Sequence, residues 1–220
     1  MDSWLGRCLR NTESYAVNEY IRLKLRRMHS LYSTGEPRRV IDTLRDMPQT
    51  TPITQPVIRP IEPHDLANVR AELQKHWYSH QIWSLGCCHQ ADALPGFVAE
   101  VNGEFAGLVT LNMDAGGWQC DVITLSSRTL SPGTGAALLA AAEMHALTQG
   151  CGRIYLTTTN DNSRAIRFYQ RQGWRFAALH KGVIDRAREL FPHIPLRGLD
   201  DIQVRDEIEF EKLIGAAAWK

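Results

Sequence analysis

Hydrophobic periodicity divides the chain into one helical stretch, one proline-rich join and a longer run of alternating strands and helices. Residues 14 to 32 place Val17, Ile21, Leu25, Met28 and Tyr32 at spacings of three and four, with Arg22, Arg26 and Arg27 opposite, which predicts an amphipathic helix. The stretch "MPQTTPITQP", Met47 to Pro56, has three prolines and sustains neither a helix nor a central strand. The predicted organisation is therefore an N-terminal helical extension and linker over residues 1–50, then one domain over residues 51–220.

Past the join, "VIRPI" reads as a short strand and "EPHDLANVRAELQKHW" as a helix with Pro63 in its first turn. "GFVAEV" and "FAGLVTLNM" alternate as strands around an Asn-Gly turn, and "WQCDVITLSS" is a third. A helix from about Gly135 to Gln149 closes at Gly150, and the strand "RIYLTTT" follows it. A second helix from about Ser163 to Gln172 closes at Gly173 and leads to "WRFAALH". A β-α-β-α-β order after an antiparallel meander predicts an α/β (α+β) fold: a mixed, largely antiparallel central sheet flanked by helices.

Composition narrows the partners. With 220 residues, 44% of them hydrophobic, the chain can bury one full core. Twenty-five Lys plus Arg against 24 Asp plus Glu leave a formal charge of +1, too little for a global field toward nucleic acid or an acidic membrane. A small ligand is expected. Five cysteines, an odd number that includes the adjacent Cys87 and Cys88, fit a reducing cytoplasm better than a disulfide framework. No apolar run approaches the roughly 20 residues of a spanning helix, and Asp2, Glu13 and Glu19 argue against a transit peptide, so a cytoplasmic, soluble chain is expected. Monomer and homodimer are both open.

The stretch "LSPGTGAALLAAAEMHAL" sets Gly133 and Gly135 at the start of a helix, although each glycine lowers helix propensity by roughly 1 kcal/mol relative to Ala. A strand, a short loop and bare glycines at a helix N-terminus present backbone N–H groups to an anion. No Gly-Lys-Ser/Thr follows, and position 138 is Leu, so neither a Walker loop nor a dinucleotide fingerprint is present. By itself the pair leaves an anion site and a structural helix start both open. A second motif lies downstream in "NDNSRAIRFYQRQGW", Asn160 to Trp174.

Taken in order, Gly133-x-Gly135 opening a helix after a strand, Asn162-x-x-Ala165-x-x-Phe168-Tyr169 and Gly173-Trp174 resemble the GNAT superfamily of N-acetyltransferases. The resemblance runs from about Val57 to Leu179. The tail, with Pro192-His193-Ile194-Pro195 and a final acidic strand, is similar to a subgroup of these proteins. It implies an acyl-CoA-binding fold, acetyl-CoA as co-substrate without a metal, and transfer of the acetyl group to a primary amine of a small molecule, peptide or protein by direct attack in a ternary complex. The acceptor itself is unknown. Leu130 stands where the superfamily carries Gln or Arg, a position whose main-chain N–H Leu also supplies.

The resemblance also implies roles. Gly133, Thr134, Gly135 and Ala136 would donate N–H groups to the pyrophosphate, with Leu130 in the same loop. Ile123 and Leu125 would bond the pantetheine arm through the main chain, and the Leu125 N–H would polarise the acetyl carbonyl. Tyr169 matches the tyrosine that protonates the departing sulfur, against an ordinary core-packing role for a Phe-Tyr pair. Asn162 bonds the cofactor or only caps its helix. Ala165 leaves clearance. For the base, Asp121 and Glu100 are the candidate carboxylates, each otherwise a solvated strand-face residue, and a water chain can serve instead.

"CCHQ", Cys87 to Gln90, with Cys120 elsewhere, lacks the spacing of a zinc site. The aromatic cluster "HWYSHQIW" and His76, His80 and His89 belong either to an acceptor pocket or to the core. An N-acetyltransferase and a non-catalytic acyl-CoA-binding module engaging a protein partner are the two function classes the chain supports.

Overall fold

The computed structural model describes residues 55–128 and 132–215. The stripe of residues 14–32, the boundary near residue 50 and Leu130 lie outside these residues.

Seven strands form one sheet in the order β1 (Val57–Pro60), β4 (Gly96–Val101), β5 (Glu104–Met113), β6 (Gln119–Ser127), β7 (Arg153–Thr159), β9 (Glu207–Leu213) and β8 (Arg175–His180). Every pairing is antiparallel except β6 with β7. A crossover through α2 (Thr134–Thr148) makes that parallel step, because parallel neighbours need a connection that returns the chain to the same end. β2 (Gln81–Ser84) and β3 (Cys87–Gln90) form a separate hairpin.

Strand alternation sorts the core into two faces. Ala99, Val109, Val122 and Leu156 pack with Leu138, Leu139 and Ala142 of α2 and with Tyr169 of α3 (Ser163–Arg171). Their sequence neighbours Val98, Leu108 and Ile123 pack on the other face with Val69 and Leu73 of α1 (Leu66–Trp77) and Ile82 of β2. Trp174 ties the first face together: its indole N–H donates to Glu143 at 3.1 Å, and Lys212 reaches the same carboxylate at 2.7 Å.

Three features go beyond the sequence expectation. Helix α1 ends at Trp77, as its pattern predicts, but Tyr78 then turns into the left-handed region (φ 58°) and the chain re-enters as the β2–β3 hairpin. A fourth helix, α4 (Val183–Leu190), occupies the tail. The strand "RFAALH" is an exposed edge, paired only to β9. Among the described residues no helix is long and apolar enough to cross a membrane.

Candidate active site

Two irregularities open the middle of the sheet. β6 and β7 pair only from Gln119–Arg153 to Asp121–Tyr155, after which the two strands run on unpaired with one another. Opposite, the β5–β6 register slips between Thr110–Thr124 and Leu111–Val122, leaving Ile123 as the extra residue of a bulge. The separation creates a cleft of about 700 Å³. Ile123, Leu125, Ser126 and Ser127 line one side, and Thr157, Thr158 and Thr159 the other.

The N-terminus of α2 stands beside Ser127. Gly133 precedes the helix at φ 95°, a conformation that L residues avoid, and supplies no side-chain cap. Among the described residues the first bond of the helical ladder runs from the Ala137 N–H to the Gly133 carbonyl at 2.9 Å, which leaves Gly135 and Ala136 in the first turn, where N–H groups lack intrahelical partners. Gly135 is bare for a packing reason as well: a Cβ there would stand 3.3 Å from the Phe168 ring and 3.3 Å from Ser127 Oγ. Thr134 is buried beside it.

Helix α3 brings in the second motif. The Asn162 side chain accepts the Ala165 N–H at 3.1 Å, the cap anticipated for it, and Asn162 also lines the cleft. Ala165 packs on the core and is not part of the lining. Tyr169 does both: it lines the cleft while its ring rests 5.4–6.2 Å from Phe168, Phe210 and Trp174. Burial pushes the Tyr169 phenol above its usual range, which keeps it protonated.

The carboxylates divide sharply. Asp121 is buried rather than solvated, with Oδ1 sealed from solvent and unpartnered, and it does not line the cleft. Burial pushes its carboxyl up to about 7; the nearby Glu207 and Glu209 add to this, while the Tyr155 hydroxyl and Arg153 offset part of it. Glu100 is taken up by Arg59, which also binds Asp65 at 2.6 and 2.8 Å, away from the cleft. Arg128, three residues after Leu125, reaches the fully buried Glu72 at 3.2 Å and lies over the Phe105 ring.

Glu207 is the carboxylate that sequence reading missed. It begins β9, lines the cleft and is only 4% exposed. One oxygen accepts the Leu85 N–H at 3.3 Å; the other has no hydrogen-bond partner among the described residues. Burial raises its pKa, with that N–H and His180 pulling the other way. Its signal in sequence was only a Glu within an acidic strand.

Around Glu207 the cleft acquires a roof. Trp83 of the hairpin meets Phe191, after α4, at a ring separation of 5.9 Å, and Phe191 meets His193 at 6.0 Å. Ser84 is 3.2 Å from Thr157, fixing the hairpin to β7. Asp161 accepts the Leu199 N–H at 2.9 Å and so holds the segment after α4. His76, Trp77, Tyr78 and Trp83 line the cleft, whereas His80 and His89 do not.

The chain that folds this split sheet, with a glycine-led helix beside the split, matches the family model for the acetyltransferase (GNAT) family over residues 58–174, and it belongs to that family. It is 40% identical over 141 residues to the uncharacterized protein YdhI of Bacillus subtilis (strain 168), covering 64% of this chain and 87% of that protein. The fold is similar to an IAA acetyltransferase from Bacillus cereus ATCC 14579 (TM-score 0.55, 17% identity, 73% of this chain and 100% of that one). It is also similar to a GNAT family acetyltransferase from Elizabethkingia anophelis with acetyl-CoA bound (TM-score 0.53, 16% identity, 72% and 98%).

Proposed function

We propose that the protein is an acetyl-CoA-dependent N-acetyltransferase that moves the acetyl group to a primary amine by direct attack, with both substrates held in the cleft between β6 and β7. The observation that carries this is the coincidence, on one cleft, of separated strands, a bare helix N-terminus beside Ser127, and a buried, protonated tyrosine. Acetyl-CoA fits what is present: strands with unshared edges, and a Ser126 hydroxyl that is buried on the cleft wall without a partner. As co-substrate it would supply the activated acyl group.

The residues then divide the work. Amides of Gly133, Thr134, Gly135 and Ala136 receive the pyrophosphate, whose charge the helix N-terminus favours. Main-chain groups of Ile123 and Leu125 align the pantetheine arm, and the Leu125 N–H stabilises negative charge on the carbonyl oxygen. Tyr169 gives its hydroxyl proton to the departing sulfur. Asn162 holds α3 in place, and Ala165 keeps its first turn narrow. Asp121, shut away from the cleft, shapes the closed end of the split and does not meet the amine.

Calorimetry with acetyl-CoA, paired with thiol release in the presence of amines, tests the reading. Tyr169→Phe should lower kcat by about 10²-fold, the low end for a positioned acid, with acetyl-CoA affinity unchanged. Binding without thiol release for every amine would instead identify an acyl-CoA-binding module.

A further inference from the structure

We infer that the acceptor is a free primary amine with an apolar, ring-bearing body and no carboxylate beside the nitrogen, and that Glu207 receives its ammonium group. This rests on the transfer reading and specifies which amine that reading leaves open.

Three observations carry it. The Trp83 and Phe191 rings meet at 5.9 Å on the cleft, and Trp77, Tyr78 and Ile184 are among its other lining residues, so aromatic faces are offered to a ligand's body. Rings of this kind favour an aromatic body and tolerate a cation over their faces. Second, Glu207 and Asp161 are both buried among the lining residues, and Glu207 keeps one oxygen without a partner. A buried carboxylate left this way gains from a cationic partner and repels an anion. Third, the fixed cation among the described lining residues is Arg164, on the first turn of α3 beside Asn162, at the helix the resemblance assigns to the cofactor. Of the two lining histidines, His76 faces Glu72 at 3.1 Å and His193 meets the Phe191 ring edge-on at 6.0 Å, so neither is a fixed cation held out for a substrate carboxylate.

The proton account closes. Glu207 takes one proton from the ammonium: an N–H bond breaks, an O–H bond forms, and the nitrogen keeps the electron pair. As C–N forms and C–S breaks, Tyr169 protonates sulfur, and the second amine proton passes through water to restore the tyrosine. Glu207 then releases its proton to solvent, one per acetyl group transferred.

The test is calorimetry on the full chain saturated with CoA, titrated with 2-phenylethylamine, with phenylalanine, which differs only by a carboxylate, and with a short unblocked peptide that carries no aromatic residue. The amine should bind at least about tenfold tighter than phenylalanine, as expected when a like charge is forced against a buried carboxylate. In Glu207→Gln, with folding checked by circular dichroism, that ratio should fall to within about threefold. Equal or tighter binding of phenylalanine or the peptide overturns the inference, as does a folded Gln variant that keeps the ratio; the wild-type comparison decides even if the variant fails to fold. A parallel thiol-release assay separates the two readings. Selective amine binding without release overturns transfer and supports the acceptor class, whereas release with phenylalanine preferred supports transfer and overturns the acceptor class.

Discussion

The two ends of the cleft are built by different means. At the cofactor end the proposed contacts are main-chain groups presented by neighbouring stretches of sequence: the bulged strand β6, the turn into α2 and the first turn of α3. At the roofed end the contacts are side chains delivered from far apart: Trp83 from a hairpin, Phe191 from the segment after α4, and Glu207 from β9. One end depends on local backbone conformation, the other on long-range packing. Substitutions should therefore act differently at the two ends, and at the seam where they meet.

The largest effect is expected at that seam. Asp121 pairs with Tyr155 in the last rung before the strands separate. Its carboxyl titrates near 3.8 when solvated and near 7 in the fold, so the folded chain holds a proton that the unfolded chain has lost. Stability contributed by this group is therefore full below the lower value, falls as pH rises between the two, and levels off above 7. Asp121→Asn removes the titration. The variant should be more stable than the parent at pH 8, by up to about 4 kcal/mol, and indistinguishable from it near pH 4. Thermal unfolding across pH 4–8 reads this directly; a parallel offset at every pH would show that folding does not shift the Asp121 carboxyl.

How much of this was legible in sequence follows the same division. Gly133, Asn162 and Tyr169 could be found because each role is set within a few residues: a positive φ before a helix, a cap three residues before the N–H it accepts, an apolar face at helical spacing. The meander and both crossover helices were readable for the same reason. Glu207 could not be found, because its meaning comes from Leu85, far away in sequence, and from the hairpin that buries it. The hairpin itself was hidden because "HWYSHQIW" mixes the end of a helix, a left-handed Tyr78 and the first residues of a strand. Nor could sequence place Arg128: it stands close in the chain to the glycine loop, but its charge is claimed by the buried Glu72, 56 residues away.

A smaller effect should isolate the roofed end. A Cβ added at Gly198 would fall 1.9 Å from Asp161 Oδ2 and 2.6 Å from its Cγ, so even alanine must push the segment after α4 off the carboxylate that holds it. Gly198→Ala should cost about 1–3 kcal/mol, typical of forced overpacking. The displaced segment also carries one cleft wall, so amine KM should rise while acetyl-CoA affinity, measured by calorimetry, stays at the parental value. Loss of both together would mean that the two ends do not respond independently.

The smallest effect decides what Asn162 contributes at the other end. Its side chain accepts the Ala165 N–H and it also lines the cleft, so capping and cofactor contact are superimposed in one residue. Alanine removes both and cannot separate them; aspartate can. Asp caps a helix about as well as Asn and adds a negative charge that the helix N-terminus favours, so Asn162→Asp should leave the unfolding temperature unchanged or slightly higher, whereas Asn162→Ala should lose about 1 kcal/mol. An anionic pyrophosphate nearby feels the same charge with the opposite sign. Acetyl-CoA affinity should therefore fall several-fold in the aspartate variant even though its fold is intact, and the loss should shrink with added salt because the repulsion is screened. Parental affinity in Asn162→Asp at low salt would show that Asn162 serves the helix alone and that the phosphate charge is held wholly by the amides opening α2.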